Sequence, residues 1–201
     1  MPEETPFRIA VLIVMLGTGL GAAYFRIQAR SDEKITHEAE GRMFALVLRL
    51  FGLALWLSTL AYLIAPRSIA WAAVSISPAV RWCAVAVAAS AAVGFLRTLV
   101  VLGKNLTDTV VTRREARLVT NGPYAWVRHP FYTTAFLLMT AVAVAAANLL
   151  MGACVVGIIT MLVLRTPKEE ERLIAAFGDD YRAYMRTTGR FWPRLFGGRM
   201  P

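Results

Sequence analysis

Residues 130–164 read PFYTTAFLLMTAVAVAAANLLMGACVVGIITMLVL, a run of 35 residues without a single charge. As one helix this run would extend about 52 Å, at 1.5 Å per residue. The hydrocarbon core of a bilayer is only about 30 Å thick, and a steep tilt does not absorb the difference. Asn148 is the one strongly polar side chain in mid-run, and Asn suits a turn. The stretch is therefore expected to fold as a tight hairpin of two short helices, 131–146 and 149–164.

Three further apolar stretches precede the hairpin. Residues 9–25 are uncharged, 43–65 are apolar except for Arg49, and 82–103 are apolar except for Arg97. Hydrophobic residues make up 57% of the 201, charged residues 17%, and the mean hydropathy is +0.54. One soluble core of this size cannot hide that much apolar surface, whereas lipid can take it. The expected fold is all-α and integral to the membrane, a single domain over 1–201 with five transmembrane helices. The first three fall within 1–103.

Charge placement sets the orientation. Putting the C-terminus inside brings segments 26–42, 104–129 and 165–201 to the cytoplasmic side, with 17 of the 22 Lys and Arg residues. Arg49 and Arg97 then lie near inner helix ends, where they can snorkel to the interface. Only Arg8, Arg67 and Arg81 remain outside. The prediction is N-terminus outside and C-terminus inside, in the cell inner membrane. The net charge of +9 follows from this asymmetry, so no nucleic-acid partner is expected. The start, Met-Pro-Glu-Glu, is acidic where a secretory signal is basic, so the first apolar run reads as a retained helix. Cys83 and Cys154 sit in apolar runs without ligand-like neighbours and read as small buried hydrophobes; no metal site is expected.

Polar groups able to do chemistry gather on the cytoplasmic face. Residues 118–132 read LVTNGPYAWVRHPFY. Asn-Gly-Pro is a turn signal, and Pro130 fits the first turn of a helix. Arg128 and His129 are thus expected at the mouth of the hairpin. An aromatic and basic belt anchoring a helix end is the plain alternative. Beyond the hairpin comes RTPKEEERL, 165–173. Pro167 followed by Glu169 to Glu171 reads as the start of a separate C-terminal helix. Leu173, Phe177, Tyr181 and Tyr184 continue it as an amphipathic face, and Gly178 marks an end or break. The plain alternative is a solvated surface helix. His37 reads as a solvated loop residue, and the basic tail from Arg182 to Arg199 as a contact for lipid headgroups. No Walker loop, dinucleotide fingerprint, HExxH or GxSxG occurs.

The segment 118–132, the hairpin, RTPKEEERL and FGDDYRAY (177–184) together resemble the RHPxY signature and closing block of the isoprenylcysteine carboxyl methyltransferase family. Order and spacing agree over roughly 115–195. Related phospholipid N-methyltransferases share much of this layout. The resemblance implies a methyltransferase core over 104–201, with an S-adenosylmethionine pocket completed by the cytoplasmic C-terminal helix. By motif position Leu118, Val119, Tyr124, His129, Pro130, Tyr132 and Glu169 would contact that cofactor. Glu170 would support Glu169, an amine acceptor would call on Glu170 or His129 as base, and Arg165 would face the substrate. The implied partner is a lipophilic or lipid-anchored acceptor arriving from the membrane lipids, foremost a prenylcysteine-like carboxylate. A phospholipid amine or a small thiol or amine is the alternative acceptor. A non-catalytic membrane scaffold is the reading from a different class. A transporter would place ionisable residues at mid-bilayer, and Arg49 and Arg97 lie towards helix ends instead.

Overall fold

The computed structural model describes residues 4–28, 42–103 and 118–194. Five helices dominate: α1 (Thr5–Gln28), α2 (Arg42–Ile64), α3 (Pro78–Leu102), α4 (Pro130–Ala145) and α5 (Leu149–Thr187). Short 3-10 turns occupy Pro66–Ala72 and Gly122–Ala125, and there is no strand among the described residues. By length and composition α1, α2, α3 and α5 can each cross a membrane, while α4 is a shorter apolar helix of 16 residues. The structure is thus a multi-pass helical membrane protein. His37 and most of the two basic segments before α2 and after α3 lie outside the described residues.

The uncharged run turns where the sequence predicts. α4 ends at Ala145 and α5 begins at Leu149. Asn148 shapes the turn from both sides. Its side-chain oxygen accepts from the Met151 amide (3.1 Å), capping α5, and its amide donates to the Ile69 carbonyl (3.2 Å). Ala147 bends the chain with φ of 50°, and its carbonyl accepts from the Val74 amide (2.9 Å). The 66–74 segment is thereby fastened to the hairpin tip.

α3 and α4 pack closely because their facing side chains are small. Ala84, Ala88, Ala91 and Ala92 are buried against a face carrying Leu138, Ala141 and Ala145. α3 begins four residues before the expected span, since Ser77 caps it and Pro78 opens its first turn.

At the same end as the hairpin tip lies a buried polar knot. Arg81 holds Glu4 through both guanidinium nitrogens (2.7 Å each) and donates from Nε to the Ala145 carbonyl (2.9 Å). Its guanidinium also caps the Phe7 ring at 3.8 Å and meets the Tyr62 hydroxyl. One side chain therefore ties the start of α1, the end of α2, the start of α3 and the end of α4. Exposed Trp71 and Trp82 ring this end, and exposed Trp126 and Trp192 the other, as expected of interfacial belts.

One expectation is corrected. Pro167 does not open a separate helix; it sits inside α5, which runs on from the apolar stretch 149–164 as an arm. The proline removes one backbone hydrogen bond, but Lys168 to Leu173 are strong helix formers and the helix resumes at once. The break falls at Gly178 instead, with φ of 58° and ψ of −128°. An L side chain rarely adopts that conformation, so glycine there is what lets the arm change direction. Beyond it, residues 179–187 return towards the start of α4.

Relaxing Ala147 tests the turn. Ala147→Gly should raise stability by about 0.5–1 kcal/mol through relief of the left-handed backbone. Asn148→Ala should lower it by about 1–2 kcal/mol through loss of the cap. Thermal unfolding in detergent measures both.

Candidate active site

Four pieces of chain meet where α4 begins: the loop 118–129, the first turns of α4, the arm of α5, and a strap of residues 188–194. Gly122, at φ of 57°, turns the loop so that its bare Cα faces Val101. The following 3-10 turn buries Tyr124, whose carbonyl accepts from the Tyr184 hydroxyl. Val127 and Gly189 form a parallel bridge. The amides of Arg128 and His129 donate to the carbonyls of Gly189 (2.8 Å) and Arg190 (3.0 Å). The Thr133 hydroxyl donates to the Phe191 carbonyl (3.0 Å). The strap bends so tightly that a Cβ on Gly189 would collide with the Trp192 carbonyl oxygen.

Glu170 stands at the centre. It is buried, with 3% of its surface exposed. One carboxylate oxygen accepts from Arg128 Nε (2.9 Å) and lies 3.4 Å from His129 Nε2; the other is paired with Arg190. Arg128 also reaches the carbonyls of Met185 and Thr188. Glu170 lies on the arm, past the apolar stretch. Burial raises its pKa, but hydrogen bonds from His129, Arg190 and Arg128 and the Arg128 charge outweigh this and bring it down to about 2.

The neighbouring Glu169 is partly open. Its Oε2 accepts from the Tyr132 hydroxyl (2.8 Å), and its Oε1 lies 3.9 Å from His129 Nδ1. The His129 ring thus lies between two carboxylates. It stacks on Tyr132 at 5.6 Å, with Tyr132 stacked in turn on Phe136 at 6.1 Å and Phe191 flanking His129 at 5.8 Å. Tyr181 is buried against Tyr184, and its hydroxyl has no hydrogen-bond partner among the described residues. Burial also holds the Tyr124 phenol well above its ordinary value.

Of the residues singled out in the sequence, Tyr124, His129, Pro130, Tyr132, Glu169 and Glu170 come together here. Pro130 opens α4, and its ring is buried. Leu118 and Val119 are half-buried at the start of the loop. Arg165 is half-buried on α5, four residues before Glu169 and so on the same helix face. Sequence reasoning gave no site role to Arg190, Phe191 or Tyr181, and placed Arg128 with His129 at the mouth of the hairpin without a partner. The basic tail needs correction at Arg190, which is paired with Glu170 and is not merely a headgroup contact.

These features define a class: a helical multi-pass membrane protein with a polar, aromatic mouth at one end of a short hairpin. Residues 82–175 match the model of the isoprenylcysteine carboxyl methyltransferase (ICMT) family. The fold is similar to that of the eukaryotic intramembrane Ras methyltransferase ICMT, with a TM-score of 0.52 and 22% identity. That likeness covers 81% of this chain and 55% of the other, and at such identity it is one of fold. The likeness to the family model thus lies in residues 82–175, and the likeness to the solved ICMT structure is one of fold. Two curated bacterial proteins are also similar over 83 residues. One is the nickel-cobalt-cadmium resistance protein NccN of Alcaligenes xylosoxydans xylosoxydans, 26% identical over 41% of this chain and 39% of its own length. The other is the cobalt-zinc-cadmium resistance protein CzcN of Cupriavidus metallidurans, 29% identical over 41% of this chain and 38% of its own. The chain therefore spans about two fifths of the length of the curated relatives it matches.

The Glu170 cluster predicts a pH dependence. A carboxyl lowered from 4.5 to about 2 stabilises the fold fully above pH 4.5, and this is lost as pH falls towards 2. Wild-type melting temperature should fall through that window. Glu170→Gln, which leaves Arg128 without its anion, should cost about 3 kcal/mol at neutral pH and flatten the acid limb. Melting curves of both proteins across pH check it.

Proposed function

We propose that this protein transfers a methyl group from S-adenosylmethionine to a lipophilic acceptor, with a prenylcysteine-like carboxylate the favoured one. The observation that carries the proposal is Glu169: a partly open carboxylate, held by Tyr132, beside an aromatic stack, within the segment that matches the ICMT family model. The residues present fit such a donor. Its ammonium suits the Glu169 carboxylate, its sulfonium and adenine suit the rings of Tyr132 and Tyr124, and its own carboxylate suits the cationic side of the mouth. Leu118, Val119 and Pro130 would supply apolar wall.

When bound, the donor supplies an electrophilic methyl group on a sulfonium centre. The chain has to hold the acceptor in line and keep water out. Arg165, on the face of α5 that carries Glu169, would orient an acceptor carboxylate through a paired hydrogen bond. A carboxylate nucleophile needs no base. An amine acceptor would need one, and Glu170, held as an anion by two arginines and His129, is poorly suited to take a proton. Glu170 is accordingly assigned to positioning His129 and Glu169. The charge distribution along the chain supports a cytoplasmic mouth and C-terminus and an external N-terminus, and the proposal places the protein in the inner membrane. The acceptor would then enter sideways from the lipid.

Equilibrium binding of radiolabelled S-adenosylmethionine to detergent-purified protein tests the donor. Glu169→Ala should weaken binding about ten- to a hundredfold, as loss of a charged hydrogen bond does. His129→Ala should weaken it too, while Arg165→Ala should spare binding and abolish methyl transfer to a lipid extract. Absence of saturable binding would sink the enzyme reading and leave a membrane scaffold. Mass spectrometry of the labelled product separates a methyl ester from a methylated amine or thiol.

A further inference from the structure

The strap bears side chains that the site does not use. Trp192 is the most exposed large apolar residue described, at 78%. Trp126, at 63%, stands on the neighbouring stretch, one residue before the Val127–Gly189 bridge. From Arg182 to Arg194 there are four arginines and no acidic residue. Arg182, Arg186 and Arg194 are exposed; Arg182 pairs with exposed Asp179, and Arg194 folds back onto the Arg186 carbonyl.

The depth of this patch is set by hydrogen bonds. His129 and Thr133 of the first turn of α4 hold the carbonyls of Arg190 and Phe191. Trp192 therefore sits level with the point where the apolar helix begins, which is the plane of the lipid headgroups. Indole rings favour that plane, and arginines there meet the phosphates of anionic lipids.

We propose that Trp126, Trp192 and the arginines at 182, 186 and 194 form a docking collar for anionic lipid headgroups, and that docking holds the strap shut over the mouth. The coupling is direct. The strap supplies the carbonyls that bind the amides of Arg128 and His129, the Arg190 side chain on Glu170, and the Phe191 ring against His129. Whatever anchors Trp192 and Arg194 restrains all of these. The inference does not depend on the chemistry at the mouth.

Hydrogen exchange of the full chain in nanodiscs tests it, read at the amides of Arg128 and His129. In discs containing about one third phosphatidylglycerol these amides should exchange at least about fivefold more slowly than in pure phosphatidylcholine, the effect of roughly one basic residue at a charged surface. Salt at about 0.5 M should erase the difference. Arg182→Gln with Arg186→Gln, both exposed and outside the strap, should reduce it severalfold, and Trp192→Ala should raise exchange in both lipids. Equal exchange in the two lipids would overturn the proposal, as would a difference that survives salt or the double substitution. The salt series on the wild type decides between these outcomes even where a variant fails to fold.

Discussion

A single buried carboxylate organises the working end of this molecule. Glu170 receives Arg128 from the loop, His129 from the threshold of α4 and Arg190 from the strap. Three pieces of chain, up to 62 residues apart between Arg128 and Arg190, are held by one side chain of α5. A buried anion is costly unless its lone pairs are met, and here each oxygen has a cationic partner. Removing any one donor leaves charge uncompensated at the point where the others converge. Glu169, one residue earlier, faces the aromatic stack with room to spare. The division between a carboxylate fully engaged by protein and one left partly open gives the mouth both rigidity and an acceptor for a cation.

The opposite end obeys the same rule with the signs exchanged. There the central group is a cation, Arg81, met by Glu4, the Ala145 carbonyl and the Phe7 ring. The helices between the two knots carry small residues on their facing sides, so the backbone of α3 approaches that of α4 closely. In lipid, where burial of apolar surface does little to bring helices together, polar knots at the ends and close contact between them supply much of the cohesion.

How much of this the sequence disclosed depends on how local each feature is. The hairpin was legible because its evidence is local: an uncharged run too long for one span, with Asn148 in the middle. Pro167 misled because a proline beside glutamates looks the same whether it starts a helix or interrupts one, and only the helix already running through Leu164 decides between them. The convergence of Tyr124, His129, Tyr132 and Glu169 was legible through the family resemblance, not through spacing. Arg190 was invisible. Its pairing with Glu170 requires the chain to turn at Gly178 and pass back across the loop, and a basic residue in a basic tail carries no mark of that path. Tyr181 was read as one step of an amphipathic face, and periodicity shows which side is buried but not which hydroxyl lacks a partner.

The continuity of α5 makes the apolar span and the mouth parts of one helix from Leu149 to Phe177. Glu169 stands twenty residues from the start of α5 at Leu149, about 30 Å along the axis. One helix therefore serves both as a wall of the hairpin and as the ruler that fixes how far the carboxylate stands from the hairpin tip.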